Sequence, residues 1–213
     1  MKKRTKRLLA AGVVAVFLAF SWTHSATFIG IAPPGYCAIK SSDGILQLSN
    51  SDANDFAKRQ WNDKTSFAKE SVSCTYWPTG GFGKQELDKI GLTSRAHEVL
   101  DATKKAFGFI PYGGFAPGGV TTGHKPGSAH YEGRAIDFFF KPYKDNAKKL
   151  SGWQLAQWAV LNAERLHIAT VIYDDRVWTY NGSYQGWHQF VPEYGDPQNA
   201  TIRHLDHVHI DVF

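Results

Sequence analysis

Cysteine is scarce in this sequence, and the scarcity excludes one common kind of metal site. The 213 residues include only two cysteines, Cys37 and Cys74, and these form no C-x-x-C pair. We therefore do not expect a cysteine-ligated zinc site. The sequence also lacks internal repeats and low-complexity tracts, and hydrophobic residues make up 43% of it. This composition is typical of a globular protein and not of a disordered chain.

The body of the chain has no excess of basic residues, although the whole sequence carries a formal net charge of +5. Five basic residues lie within the first seven positions, MKKRTKR, and no acidic residue occurs before residue 30. Without these five, 19 Lys and Arg residues remain against 19 Asp and Glu residues. No basic stripe is left to contact phosphates, so we exclude nucleic acid as a partner.

The N-terminus has the pattern of an export signal. The basic cluster is followed by an uncharged run of 15 residues, from Leu8 to Trp22. This combination is typical of a secretory signal peptide. Because the chain stays uncharged as far as Ala32, an uncleaved membrane anchor over residues 8–32 is an alternative, and a buried core helix is a third. In the first two cases residues 1–30 are a signal peptide or anchor, and the body is exported, either secreted or held at the cytoplasmic membrane.

Export bears on the two cysteines. An even number of cysteines in an oxidising compartment favours a disulfide, here between Cys37 and Cys74. Two unpaired buried thiols are the alternative. Both cysteines lie in residues 31–84, which we interpret as an N-terminal extension that precedes the main domain, residues 85–213.

Turn residues and hydrophobic periodicity predict the remaining elements. Residues 33–50, which begin with Pro33-Pro34-Gly35, are predicted to be a linker or irregular opening. The glycine-rich loop YGGFAPGGVTTGHKPGS indicates a place where the backbone must approach something closely. The predicted helices are a broken one in 50–70, one over 93–108 with Thr93 or Ser94 as N-cap, and one over 151–167 with Ser151 as N-cap; the predicted strands are 133–140, 169–178 and 207–213, and 180–203 is a long loop. This mixture predicts an α+β fold, with a small, mainly antiparallel sheet and helices packed on one of its faces.

Asp137 lies in an unusual position, in the stretch SAHYEGRAIDFFF. A carboxylate in so apolar a run costs several kcal/mol unless it is paired, hydrogen-bonded or bound to a metal. In the closing strand, alternation places His207, His209 and Asp211 on the face opposite to the core. If the strand of Asp137 pairs with this strand, Asp137 and His209 lie side by side, and His130 can reach them from the preceding loop.

Two imidazoles and one carboxylate form a common ligand set for catalytic zinc, with one position left for water. His130, Asp137 and His209 are therefore candidate ligands of a Zn²⁺ ion. Two simpler interpretations remain open at this stage: Asp137 pairs with Arg134, or His209 is an ordinary exposed strand residue.

The same residues resemble a known family. SAHYEGRAID fits the pattern S-x-H-x-x-G-x-A-x-D, and DHVH near the C-terminus fits a second motif. Both are motifs of the zinc metallopeptidases that share the lysostaphin, D-Ala-D-Ala peptidase and hedgehog fold, in particular the D-alanyl-D-alanine carboxypeptidase-like branch. The resemblance covers roughly residues 110–213. It implies zinc bound by His130, Asp137 and His209, and hydrolysis of peptide bonds in the stem peptides or cross-bridges of bacterial peptidoglycan.

The resemblance also implies two catalytic residues. Asp206, three positions before the last ligand, corresponds to the general base, and His207 corresponds to a histidine that stabilises the oxyanion. His207 as the base is the alternative, and His204 is a candidate for a supporting role. Aromatic residues in the loop 180–203 are candidates for stacking on a substrate.

The sequence departs from the family pattern in two ways. Carboxypeptidase-like members often carry an arginine upstream of the first motif, whereas the corresponding FAPGGVTTGHKPG has none, and the base is Asp instead of the commoner Glu. Carboxypeptidase and endopeptidase activity therefore both remain open. A zinc-stabilised module of the same fold that binds cell wall or protein without cleaving it is the alternative function.

Overall fold

The computed structural model describes residues 32–41, 44–60 and 69–213 of the chain. Its helices are α1 (Asn50–Gln60), α2 (Ser94–Phe107) and α3 (Asn146–Leu161), with short 3-10 helices at Ala129–Glu132 and Ser183–Gln185. Its strands are β1 (Tyr36–Ser41), β2 (Gly44–Ser49), β3 (Val72–Thr75), β4 (Tyr112–Gly113), β5 (Ala135–Phe139), β6 (Ile168–Tyr173), β7 (Arg176–Thr179), β8 (His188–Gln189) and β9 (His207–Val212). The predicted α+β class is confirmed.

Most of the predicted signal peptide or anchor lies outside the described residues. Within the described ranges, no helix is both long enough and apolar enough to span a membrane.

The first sheet corrects the prediction of a linker over residues 33–50. It has three antiparallel strands in the order β2-β1-β3, and β1 and β2 pair along their full length. The prolines and the glycine that suggested a linker lie just before β1, where the chain turns into the sheet. Proline is tolerated at this position, because it disturbs a sheet only where its missing N–H would be needed for a hydrogen bond. The two prolines are therefore compatible with the start of a strand.

The predicted disulfide is confirmed. Cys37 of β1 and Cys74 of β3 face each other in the antiparallel register, and their Cα atoms are 3.9 Å apart. Both residues are fully buried. The bond therefore joins neighbouring strands of the first sheet.

The second sheet has six antiparallel strands in the order β4-β5-β9-β6-β7-β8. Its central strand β9 shows the predicted alternation: Val208, Ile210 and Val212 are buried in the hydrophobic core. Helix α2 contacts β5 and β9, and α3 contacts β3, β6 and β9. The side chains on the other face of β9 are thus left to form a polar site.

The prediction of one strand over 169–178 is wrong, because this segment is a hairpin. Strands β6 and β7 pair antiparallel around Asp174 and Asp175, whose φ angles are 50° and 62°. Two consecutive residues with positive φ form the tight turn that matches the twist of the flanking strands, and aspartate tolerates this conformation. The run of β-branched residues on both sides hid the turn.

Helix α2 follows its prediction, whereas α3 (Asn146–Leu161) both starts and ends earlier than the predicted 151–167. In α2, the Thr93 side chain accepts a hydrogen bond from the N–H of Ala96, and Gly108 ends the helix with a φ of 74°. In α3 the N-cap is Asp145, which accepts from two backbone N–H groups, and not Ser151. Asp and Ser are comparable caps, so the choice between them depends on where the chain leaves the sheet.

One continuous core joins the two predicted parts of the chain. It contains Cys37 and Val72 from the first sheet together with Leu100 of α2, Leu155 of α3 and Ile210 of β9. Buried hydrogen bonds add to this contact, since the Gln157 side chain accepts from the backbone N–H of Val72. The three-stranded sheet therefore packs directly on the body that carries the polar site.

Candidate metal centre

The register of two strands brings the predicted ligands together. Asp137 of β5 lies directly opposite His209 of β9. His130 belongs to the 3-10 helix that precedes β5, in which Ser128 accepts from the His130 N–H and Gly133 ends the turn with a φ of 63°. All three predicted ligand side chains are buried, and their donor atoms point toward one another.

The three donor atoms form a nearly equilateral triangle. The His130 Nε2 and His209 Nδ1 atoms are 3.1 Å apart, and Asp137 Oδ1 lies 3.3 Å from the former and 3.1 Å from the latter. Ligands of a tetrahedral zinc ion with bonds of about 2.0–2.1 Å are separated by about 3.3–3.4 Å. The triangle therefore has close to the size of one face of a zinc coordination tetrahedron.

Each of the two imidazoles has a second partner that fixes its orientation. The other nitrogen of His130, Nδ1, lies 2.7 Å from the carbonyl oxygen of Gly114, and the other nitrogen of His209, Nε2, lies 3.3 Å from Asp211 Oδ2. Each outer nitrogen can donate its proton to an oxygen, which leaves a lone pair on the inner nitrogen. Metal-binding histidines are commonly held in this way by a carbonyl or a carboxylate. The donor set thus fits a cation.

Gly114 shows why the loop before His130 needs glycine. Its φ is 85°, and a Cβ atom at this position would lie 2.4 Å from His130 Cε1 and 3.1 Å from Asp137 Oδ2. No side chain fits there without moving the imidazole. The close backbone approach predicted for this loop is found at Gly114.

The charges in the site are strongly coupled. Burial raises the pKa of Asp137, but the hydrogen bonds with His130 and His209 outweigh this effect and hold the pKa well below its usual range. Burial lowers the pKa of His209, but Asp137 and Asp211 raise it to about 9. The carboxylate thus stays ionised and attracts positive charge, which a proton or a metal cation can supply.

The structure does not show either of the simpler interpretations of these residues. Arg134 donates to Glu132 and to the backbone carbonyl of Val212 and makes no ion pair with Asp137. His209 is 7% exposed, so it is not an ordinary surface residue of a strand.

Asp206 and His207 lie beside the triangle, with His207 nearer to it. His207 Nε2 is 3.6 Å from Asp137 Oδ1, and His207 Nδ1 is 2.8 Å from Asp206 Oδ1. Strand β9 begins at His207, so Asp206 lies outside the strand and the alternation of strand side chains does not apply to it. Its carboxylate lies on the same side as the His207 ring. The second Asp206 oxygen is 3.2 Å from Lys141 Nζ and accepts a hydrogen bond from Thr201 at 3.0 Å. No sequence motif marks Lys141 as part of the site.

His204 lies in the same group of rings. Its centroid is 4.7 Å from that of His207 and 5.6 Å from that of His209. Its Nδ1 atom is buried and has no hydrogen-bond partner in the part of the chain that the structure describes. His204 therefore lines the site without contacting the triangle through a hydrogen bond.

Comparison with known families gives one result. The model of the VldE C-terminal domain family matches residues 88–204, which is more than half of the chain. The chain belongs to the VldE C-terminal domain family. No curated protein and no solved structure matches it. The VldE match includes His130 and Asp137 but ends before Asp206, His207 and His209, so the closing strand of the site lies beyond the matched segment.

One further histidine of the VldE-matched segment lies in the site and was not predicted. The imidazole of His124 stacks on that of His130, with centroids 3.9 Å apart and an angle of 20° between the rings. Burial lowers the pKa of His124, and the neighbouring His130 lowers it further. The glycine-rich loop was the sequence signal for this region. Glycine content does not show which side chain of the loop points into the site.

The aromatic residues of the loop 180–203 divide into three groups. Tyr180 is buried and Trp187 packs against the core, so these two are structural. Phe190 contacts the ring of His204 edge-on at 4.8 Å. Tyr184 and Tyr194 are exposed. Of the five, Phe190 is the one with a ring contact to a histidine of the site.

Proposed function

We propose that this protein is an exported zinc-dependent peptidase that hydrolyses peptide bonds of bacterial peptidoglycan, in its stem peptides or cross-bridges. The observation that carries the proposal is the triangle of His130 Nε2, Asp137 Oδ1 and His209 Nδ1, with an oxygen acceptor behind each imidazole. The motifs that resemble the carboxypeptidase-like branch contribute the substrate class.

The residues around the triangle suit hydrolysis. A zinc ion, when bound, would supply a water molecule that ionises near neutral pH and would polarise the scissile carbonyl. In our proposal, the Asp206 carboxylate accepts the proton of the attacking water and returns it to the leaving amine. His207 Nε2, which faces the triangle, donates to the oxyanion. Lys141 and Thr201 hold the second oxygen of Asp206 in place.

The proposed location rests on the sequence and on the disulfide. The basic and apolar start of the chain is typical of an export signal, and the bond between Cys37 and Cys74 suits an oxidising compartment. The protein would then meet peptidoglycan outside the cytoplasmic membrane, either as a secreted enzyme or anchored through residues 8–32.

The test is digestion of purified sacculi by the full-length protein, with mass analysis of the released muropeptides. We expect digestion that a chelator stops and that added zinc restores. Metal analysis should find one zinc per chain in the wild type. The isosteric Asp137→Asn variant should bind zinc much more weakly and release no muropeptides, because an amide oxygen replaces the anionic ligand. Absence of zinc from the wild type after incubation with the metal would refute the proposal.

A zinc-stabilised binding module is the second candidate. The observation that favours it is the burial of the triangle, in which His130 is only 2% exposed. Such a module would bind sacculi in a zinc-dependent manner and release no muropeptides. The same digestion experiment, followed by sedimentation of sacculi with bound protein, distinguishes it from the peptidase.

A further inference from the structure

His124 is placed at the metal centre by contacts with its backbone and its ring. The His124 backbone N–H donates to the Tyr131 hydroxyl at 3.0 Å, and the same hydroxyl donates to the His124 carbonyl. The ring of His124 then lies parallel to that of His130 and edge-on to that of Tyr131. One tyrosine thus fixes the inward turn of the loop at a single residue.

The ring nitrogens of His124 have no partner among the described residues. No hydrogen bond or ion pair to either nitrogen is present in the ranges 32–41, 44–60 and 69–213, and the side chain is partly exposed. The neighbouring Lys125 is turned away and pairs with Glu193 at 2.9 Å on the surface. His124 therefore presents a donor and an acceptor beside the triangle.

Support of the His130 ring does not explain why the stacking residue is a histidine. His130 is already held by the Gly114 carbonyl, by its own 3-10 helix and by its contact with His209. A phenylalanine at position 124 would provide the same stacking surface. What an imidazole adds is its hydrogen-bonding nitrogens, and these have no partner in the part of the chain that the structure describes.

We infer that His124 binds the substrate, by donating a hydrogen bond from its ring to an oxygen of the peptide on the His130 side of the centre. The acceptor is a backbone carbonyl or a terminal carboxylate of that peptide. His124 thereby determines which peptides are held in register with the scissile bond. This inference rests on the peptidase function proposed above.

The test compares three variants of the full-length protein on soluble muropeptides released from sacculi by a muramidase. His124→Phe keeps the ring stack and removes both nitrogens, and His124→Asn keeps a donor near the position of Nδ1. Lys125→Ala is the control from the same loop, since it removes only an exposed ion pair, which contributes little. The measurements are zinc content, kcat and KM, and binding of the muropeptides by calorimetry.

We expect His124→Phe to retain its zinc and to lose about 10- to 100-fold in kcat/KM, as for a lost hydrogen bond to substrate, mainly through a higher KM. His124→Asn should recover part of this loss, and Lys125→Ala should stay within about twofold of the wild type. A larger loss on peptides with a free C-terminal carboxylate than on their amides identifies the carboxylate as the acceptor; equal losses identify a backbone carbonyl.

Two results would overturn the inference while leaving the peptidase function intact. One is wild-type kcat and KM in a zinc-loaded His124→Phe variant. The other is loss of zinc from that variant, which would make His124 a support for His130. If the wild type binds zinc and muropeptides without cleaving them, the peptidase function fails, and calorimetry with His124→Phe still decides the role of His124. A wild type that neither binds nor cleaves muropeptides contradicts both.

Discussion

Asp206 and His207 are neighbours in the chain and partners in a 2.8 Å hydrogen bond, so each sets the environment of the other. Burial raises the pKa of Asp206, but the hydrogen bonds from His207 and Lys141 outweigh it and hold the pKa below its usual range. His207 is the member of the pair that faces the triangle. At the scale of the single residue, the proposed mechanism depends on which of the two transfers the proton.

We expect Asp206→Asn to keep its zinc and to lose about 10²–10⁴-fold in turnover, since it removes the base and no metal ligand. His207→Ala should also keep zinc and lose about 10²–10³-fold. The double variant should lose less than the product of the two single losses, because both residues act on one transition state. Rates of muropeptide release and zinc content are the measurements. Full activity in Asp206→Asn together with loss in His207→Ala would make the histidine the base.

Gly114 offers a second prediction at this scale, and Gly118 provides its control. Both have positive φ angles, 85° and 81°, so alanine is strained at either position. Only at Gly114 does a Cβ collide with the His130 ring, because nothing lies within 4 Å of a Cβ at Gly118. We expect Gly114→Ala to weaken zinc binding at least tenfold and Gly118→Ala to leave it unchanged, as measured by competition with a chelator. Equal affinities in the two variants would show that His130 can move without cost.

At the scale of the element, the disulfide holds the edge of the first sheet to its centre. It joins β1 to β3 across 37 positions of sequence, and both strands contribute side chains to the common core. The candidate metal centre lies in the other sheet, on β5, β9 and the 3-10 helix before β5. Stability and metal binding are therefore expected to respond differently to loss of the bond.

The double variant Cys37→Ala/Cys74→Ala should lose about 3–4 kcal/mol of unfolding free energy, the entropy of closing a loop of this length in the unfolded chain. Its zinc affinity should match that of the wild type. Urea denaturation and metal analysis give the two quantities, with the wild type in reductant as a second measure of the same loss. A variant as stable as the wild type would show that packing of β1 on β3 alone suffices.

At the scale of the whole molecule, a buried carboxylate ties the β6–β7 hairpin to helix α3. Asp174 lies 2.8 Å from Lys149 Nζ and accepts from Trp153 Nε1 at 3.1 Å. Burial raises the pKa of Asp174, but Lys149 and Trp153 outweigh it and the pKa is below its usual value. The ionised form is thus favoured by folding, and its contribution to stability is present above the unfolded pKa of about 4 and is lost as the pH falls.

We expect Asp174→Asn to be about 2 kcal/mol less stable than the wild type at pH 7, from the loss of a charged hydrogen-bond acceptor. The difference should shrink as the pH falls from about 5 to 2, because the wild-type carboxylate becomes protonated in this range. The unfolding free energy of Lys149→Met should likewise depend less on pH in this range. Denaturation free energies measured across this range provide the test, and a constant difference between wild type and Asp174→Asn would contradict it.

Elements with local sequence signals were predictable. The Thr93 cap and Gly108 stop gave α2, alternation gave β9, and the apolar run around Asp137 gave β5. The sequence also indicated the three candidate ligands, because a charge in an apolar strand requires a partner, but their meeting depended on the pairing of two distant strands. The turn at Asp174 was not predictable, because the β-branched residues on both sides of it favour a continuous strand. The start of α3 was not predictable, because Asp145 and Ser151 are comparable N-caps.

Which distant groups meet depends on the tertiary structure. It pairs β5 with β9 so that Asp137 faces His209, it places the Gly114 carbonyl behind His130, and it turns His124 inward. It also builds the hairpin of β1 and β2, residues 36–49, into a sheet by pairing β1 with the distant β3 on a common core. The physical reason is that strand pairing and burial depend on contacts between segments far apart in sequence, whereas caps, turns and periodicity depend on neighbours.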